Sequence, residues 1–273
     1  MLTQAAKGVA FAALHVRPGA FIIPNPWDIG TARLLAMIGF EALATTSAGY
    51  AFSAGRPDNT VTREETIAHA AAIVSATDLP VSADLENGFG DHPGSVAETI
   101  RMAAAAGLVG GSIEDASGRT NGEPYDIALA AERIRAAAEV VRSLPFRFML
   151  TARAENFLVG RPDLRDTIKR LQAYQEAGAD VLYAPGLSSA DDIAAVMRSV
   201  DRPVNVVVGL AAGQFSLATL SQLGVKRISV GSALARAALG AVLRAGREIH
   251  ERGTFEFTKD AVAYAEINRM LGD

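Results

Sequence analysis

The sequence predicts an α/β fold, a (β/α)8 TIM barrel with a C-terminal helical extension, on three observations. Short apolar runs alternate with longer amphipathic segments about eight times along the chain, and strands alternating with helices pair in parallel through right-handed crossovers. No Gly-x-Gly-x-x-Gly follows the first apolar run, which argues against an open doubly wound sheet. Polar residues stand at the C-terminal ends of many of the runs, where barrel enzymes carry their sites.

The elements follow in order. Strands are expected at residues 20–24 and 42–46. Between them lies a helix over Ile29–Ile38 that Asp28 would N-cap and Gly39 would stop. An amphipathic helix at 63–76 leads to Pro80, which excludes helix and hands over to a strand at 81–85. A helix at 95–106 ends at Gly107 before the strand Gly110–Glu114, and a helix over Ile127–Ser143 precedes a strand at 147–152. The same punctuation recurs in a helix at 165–177, Gly178 and a strand at 181–184. It recurs again in a helix at 190–200, Pro203 and a strand at 204–208. The last unit is a helix at 215–223, Gly224 and a strand at 227–230. The tail from 231 to 273 reads as helical and exceeds what a last barrel helix needs. With no linker, low-complexity tract or shift in composition, residues 1–273 read as one domain.

Composition narrows the function classes. The chain is long enough for a sizeable core, and 49% hydrophobic with 21% charged residues is an ordinary globular profile. A net charge of −4 offers no general surface for nucleic acid or an anionic membrane. An anionic substrate would need a local device, such as a metal or a single arginine. The absence of cysteine excludes disulfides, thiolate metal sites and thiol nucleophiles. The N-terminal segment carries no signal-peptide pattern, and charges interrupt every Ala-rich stretch before it could span a membrane, so a cytoplasmic protein is expected.

The chemistry gathers at the expected strand ends. The third strand ends Asp84-Leu85-Glu86, and alternation aims Ser82, Asp84 and Glu86 into the barrel mouth. The fourth ends Ser112-Ile113-Glu114-Asp115, with Glu114 at the equivalent height, and Asp58 follows the second strand in Gly55-Arg56-Pro57-Asp58. Four converging carboxylates would repel and raise one another's pKa; a divalent cation relieves this. The candidate ligands Asp84, Glu86, Glu114 and Asp58 are all oxygen donors, which suits Mg²⁺ or Mn²⁺ rather than Zn²⁺. The competing role for each acid is a helix cap or an arginine partner. Arg153 ends the fifth strand, where a guanidinium can grip a carboxylate by two parallel bonds or pair with a neighbouring acid. Thr46, Ser47 and Ala48 end the second strand as small residues whose N–H groups can cradle a carboxylate or phosphate.

None of the four lysines ends a strand, which disfavours Schiff-base chemistry. The four histidines also miss that rim, apart from His92 in the loop after the third strand, so a zinc-histidine hydrolase is not indicated. No Gly-x-Ser-x-Gly elbow is present.

Taken together, several motifs resemble those of the isocitrate lyase/phosphoenolpyruvate mutase superfamily over roughly residues 20–245. They are Thr45-Thr46-Ser47-Ala48-Gly49, Gly55-Arg56-Pro57-Asp58, Ala83-Asp84-Leu85-Glu86-Asn87-Gly88-Phe89-Gly90, Ser112-Ile113-Glu114-Asp115 and Thr151-Ala152-Arg153. The resemblance implies Mg²⁺ on the acidic cluster, with Asp84 as direct ligand and Asp58, Glu86 and Glu114 acting directly or through water. It implies bond cleavage beside a 2-oxo acid through a metal-stabilised enolate. Thr46, Ser47, Ala48, Asp84 and Arg153 would hold the substrate. It also implies a homotetramer whose C-terminal helices, from about residue 231, are exchanged between subunits.

Departures from the superfamily pattern bear on the reaction. Its isocitrate and methylisocitrate lyases carry a cysteine in the loop after the fourth strand. Here that loop reads Ala116-Ser117-Gly118-Arg119-Thr120-Asn121-Gly122-Glu123, closer to the Lys-x-Asn gate of the phosphonopyruvate-processing members. Arg119 and Asn121 therefore join Arg153 and Asp58 as catalytic candidates, although arginine keeps the charge of lysine without its proton-transferring amine. A glutamate after the sixth strand gives way to Tyr183-Ala184-Pro185-Gly186, and an asparagine after the seventh to Val206-Val207-Val208. The leading expectation is a Mg²⁺-dependent carbon–carbon lyase acting on a small 2-oxo acid or dicarboxylate. The alternatives are a P–C bond enzyme, phosphonopyruvate hydrolase or phosphoenolpyruvate mutase-like, and a non-catalytic 2-oxo acid binding protein.

Overall fold

The computed structural model describes residues 2–117, 123–210 and 215–272. All eight expected strands form: β1 (Phe21–Ile23), β2 (Leu43–Ala44), β3 (Val81–Asp84), β4 (Gly110–Glu114), β5 (Met149–Arg153), β6 (Val181–Tyr183), β7 (Val204–Val207) and β8 (Arg227–Ser229). Around them run α1 (Gln4–Val16), α2 (Ile29–Ile38), α3 (Ser47–Ser53), α4 (Arg63–Ser75), α5 (Pro93–Ala105) and α6 (Ile127–Ser143). The remaining helices are α7 (Leu164–Ala177), α8 (Ala190–Ser199), α9 (Leu217–Gln222), α10 (Ala233–Arg252) and α11 (Tyr264–Leu271), with a 3-10 turn at Glu256–Asp260. Two of these, α1 and α3, stand where the sequence pattern gave no helix.

All neighbouring strands are parallel, in the order β1-β8-β7-β6-β5-β4-β3-β2. The ring closes at the β1/β2 seam, where Ala44 N–H donates to the Pro24 carbonyl at 3.0 Å. The Asn25 side chain reinforces that seam. Its Nδ2 donates to Thr45 O, and its Oδ1 accepts from the N–H groups of Val230 and Gly231.

The main core lies between ring and helices, and Leu43, Ile73, Ile100, Leu108, Leu150 and Leu171 are fully buried in it. Each such side chain stabilises the fold by roughly 1.5–3 kcal/mol. A second cluster, Phe11, Leu14, Phe21, Ile23, Val109, Met149 and Val181, fills the N-terminal end of the ring. There α1, capped by Thr3, serves as a plug. Among the described residues no helix is long and apolar enough to cross a membrane.

Candidate active site

The parallel ladder sets the site's geometry. Glu114, Arg153, Tyr183, Asn205 and Arg227 are paired in succession across β4 to β8. Arg153 is the hub of the mouth. Its Nη1 lies 2.9 Å from Asp84 Oδ1 and 3.1 Å from Glu114 Oε2, and its Nη2 lies 2.8 Å from Glu155 Oε1. Its Nε also donates to Glu155, and its guanidinium stacks 5.0 Å from the centre of the Tyr183 ring. Of the two sequence-based roles, the ion pair with neighbouring acids is the one formed: the arginine stands at the rim and its donors are engaged by three acids. Glu155 was not among the sequence candidates. It lies two residues past Arg153, beyond the strand end, and the Asp115 carboxylate accepts from its N–H.

Asp84 also meets β2. Ser47 Oγ donates to Asp84 Oδ2 at 2.9 Å, and Asp84 N–H donates to Thr45 Oγ1 at 3.0 Å. The small-residue run after β2 turns directly into α3. Thr46 is its N-cap, accepting from Gly49 N–H, and Ser47 and Ala48 form the first helical turn. The strand therefore ends at Ala44, short of the expected residue 46.

Alternation does not carry β3 through to Glu86. The chain leaves the strand at Asp84, and Glu86 adopts a left-handed φ of 48°. A non-glycine residue there costs about 1–2 kcal/mol, which the surrounding bonds must offset. Glu86 N–H turns toward Asp84 Oδ1, its carbonyl accepts from Glu114 N–H, and its side chain is buried with Oε1 unpartnered. Arg133, itself buried, clamps the loop beyond by donating to the carbonyls of Asn87, Gly90 and Asp91. Its guanidinium lies 4.2 Å from the centre of the Tyr125 ring.

The acids outnumber the single arginine between them. Burial, then the charges of Asp84 and Asp58, raise Glu86 to about 8. Burial raises Glu114 despite Arg153; Asp58, although it reaches the surface, is raised by partial desolvation and by the Asp84 charge. Asp58 lies in an exposed loop whose Asn59 N–H donates to it. Among the described residues no group of three or more His, Cys, Asp or Glu side chains is arranged as a ready metal cage. Mg²⁺ needs none, because it takes one or two carboxylates and keeps several waters. An orphaned buried carboxylate oxygen, and acids whose pKa values burial and neighbouring charges raise, fit a hard divalent cation.

The remaining candidates separate clearly. Arg119 and Asn121 lie outside the described residues. The ends of their loop meet in an antiparallel bridge between Ala116 and Pro124. His92 caps α5, and His69 on α4 bonds the Trp27 carbonyl while stacking on Tyr50. Lys226 reaches the Arg17 carbonyl beside the N-terminal end of β8.

Sequence reasoning missed the inner wall opposite the acids. Tyr183, Asn205, Arg227 and Ser229 line a cavity of about 60 Å³ together with Asp84 and Arg153. Asn205 and Arg227 lie inside buried strands, away from the C-terminal ends where candidates were sought, whereas Tyr183 and Ser229 end β6 and β8 and their signal was a polar group closing a short strand.

Comparison with known proteins places this geometry. The family model described as phosphoenolpyruvate phosphomutase matches residues 11–250. The chain is 65% identical to a protein of Burkholderia cenocepacia J2315 described as a lyase or mutase. That structure superposes with a TM-score of 0.97 and covers 99% of this chain and 97% of its own. A probable 2-methylisocitrate lyase of Corynebacterium glutamicum is 29% identical over 90% of this chain and 83% of its own length. A phosphonopyruvate hydrolase solved with oxalate and Mg²⁺ is 26% identical, with a TM-score of 0.85, and covers 100% of this chain and 96% of its own.

Proposed function

The chain belongs to the phosphoenolpyruvate phosphomutase family, within the isocitrate lyase/phosphoenolpyruvate mutase superfamily, and from that premise we propose that it is a Mg²⁺-dependent lyase cleaving a C–C bond beside a small 2-oxo acid or dicarboxylate. The observation that carries the proposal is the crowded mouth, where one arginine serves three acids and Glu86 keeps an unpartnered buried oxygen. Asp84 would hold the ion, with Glu86, Glu114 and Asp58 acting directly or through water. When bound, Mg²⁺ supplies Lewis acidity toward a carbonyl oxygen. Thr46, Ser47 and Ala48 would orient the acid from the first turn of α3. Arg153 would face the negative charge that develops as the bond breaks, in a site where fixed charges act more strongly than in water. Arg119 and Asn121, outside the described residues, would join Arg153 and Asp58 in catalysis.

A second reading, P–C bond cleavage, is favoured by the family model and by the likeness to phosphonopyruvate hydrolase. An NMR-monitored screen separates the two, using oxaloacetate, methylisocitrate, dimethylmalate and phosphonopyruvate with Mg²⁺ and with EDTA. Conversion of a carbon acid that stops in EDTA is expected, and Asp84→Ala should lower kcat by about 100-fold or more. Conversion of phosphonopyruvate alone would replace the proposal with the second reading. Binding of these acids without turnover would make the chain a 2-oxo acid binding protein.

We also propose a cytoplasmic homotetramer in which the helices from about residue 231 are exchanged between subunits. The exposed apolar residues Leu239, Val242, Leu243, Phe255 and Tyr264 along that tail support association through it.

A further inference from the structure

Arg227 is a buried cation that the chemistry above leaves unused. It stands on β8, paired with Asn205 of β7, and only 5% of its surface is exposed. Its Nε donates to Asn205 Oδ1 at 2.9 Å and its Nη2 to Thr151 Oγ1 at 3.0 Å. Both acceptors are neutral, and among the described residues no carboxylate pairs with it. Nη1 is buried and has no partner.

The surroundings of Arg227 sharpen the contrast with Arg153. Burial lowers the Arg227 guanidinium to about 10, with only the Tyr183 phenol acting the other way. Below it, His15 of the α1 plug is held down to about 3 by burial and by Arg227 itself, so the imidazole is neutral. His15 Nδ1 meets the Phe11 carbonyl, which leaves Nε2 as an unpartnered lone pair that carries no charge. A buried charge without a counter-charge is costly, and an anion arriving in the cavity offsets that cost. Arg153 and Arg227 line the same cavity of about 60 Å³, with Asn25, Asn205 and Ser229 beside them. One arginine is saturated by acids; the other keeps a buried donor without a partner.

We propose that Arg227 binds a second carboxylate of the substrate at the floor of the barrel, and so selects dicarboxylic 2-oxo acids over monocarboxylic ones. The substrate class rests on the 2-oxo acid reading above. The mouth holds the reacting end, and the cavity takes the distal anion.

Titration calorimetry with Mg²⁺ tests this by comparing pyruvate with oxaloacetate, which adds one carboxylate to the same 2-oxo acid head. A charge-assisted bond makes wild-type binding of oxaloacetate about tenfold or more tighter than that of pyruvate. Arg227→Met is expected to abolish that preference while leaving pyruvate affinity within about twofold, and Arg227→Lys to keep part of it. An unchanged preference in Arg227→Met, or an equal loss for both acids, overturns the proposal. If the wild type binds neither acid, the 2-oxo acid reading fails by itself. A bromide soak of wild-type crystals then decides the site: an anomalous peak against the Arg227 guanidinium supports it, and an empty cavity overturns it. The same soak decides the matter if Arg227→Met does not fold.

Discussion

At the scale of single residues, the mouth is defined by imbalance. Arg153 meets Asp84, Glu114 and Glu155 within 3.1 Å, and Glu86, raised by burial and by Asp84 and Asp58, has no direct bond to it. That imbalance has a measurable sign. A carboxylic acid whose folded pKa is raised above its unfolded value, about 4.3, holds its proton longer in the native state. Native stability is then lost as pH rises from the unfolded value through the folded one. Glu86, raised to about 8, carries this effect to neutral pH, and Glu114 and Asp58 are raised in the same direction. His15 acts oppositely. Held down to about 3, it adds stability as pH rises, and its effect is complete by about 6.5. Between about pH 6.5 and 8 the acids therefore dominate. The melting temperature in EDTA is expected to fall across that interval, and saturating Mg²⁺ to flatten the fall. A level profile in EDTA would mean that these acids are already ionised without metal.

At the scale of elements, α1 is held closer to the barrel than a side chain permits. A Cβ on Gly8 would sit 2.2 Å from the Arg147 carbonyl oxygen. Gly8→Ala is expected to cost about 1–3 kcal/mol by overpacking, where an exposed helix position would gain up to about 1 kcal/mol. Urea denaturation reads the difference, and a gain would show that α1 does not seal the ring. This helix was illegible in the sequence because its buried stripe, Lys7, Gly8, Phe11, Leu14 and His15, includes a lysine and a histidine. An apolar-only pattern passes over it, although the spacing is helical. The strands were legible for the opposite reason. A ring covered by helices buries both strand faces, so most of the strands fall in short, largely apolar stretches with a glycine or proline close by. Asp84, Glu114 and Arg153 were legible because they end such runs. Arg227 begins one, and Asn205 is second in its own, so a search confined to strand ends could not find them. Glu86 was found by alternation, yet it reaches the mouth through a left-handed turn that alternation does not describe.

At the scale of the whole molecule, the tail carries more apolar surface than an isolated chain would be expected to leave open. Val242 and Leu243 on α10, and Phe255 and Val262 beyond it, are all exposed. If those faces are covered by neighbouring subunits, light scattering should give four times the chain mass of 28.5 kDa. A Val242→Glu, Leu243→Glu double variant should then shift to smaller species, because a charge in a buried apolar interface is not tolerated. A monomeric wild type would remove the tetramer from the proposal.

The Asn25 seam also fixes when the protein can finish folding. That side chain binds backbone 205 and 206 positions further on, and β1 pairs with β8. On the ribosome the pairing of β1 with β8 must wait until β8 has been made. Until β8 emerges, the growing sheet carries two open edges that can pair with other chains. Contacts this distant in sequence make closure of the ring slow.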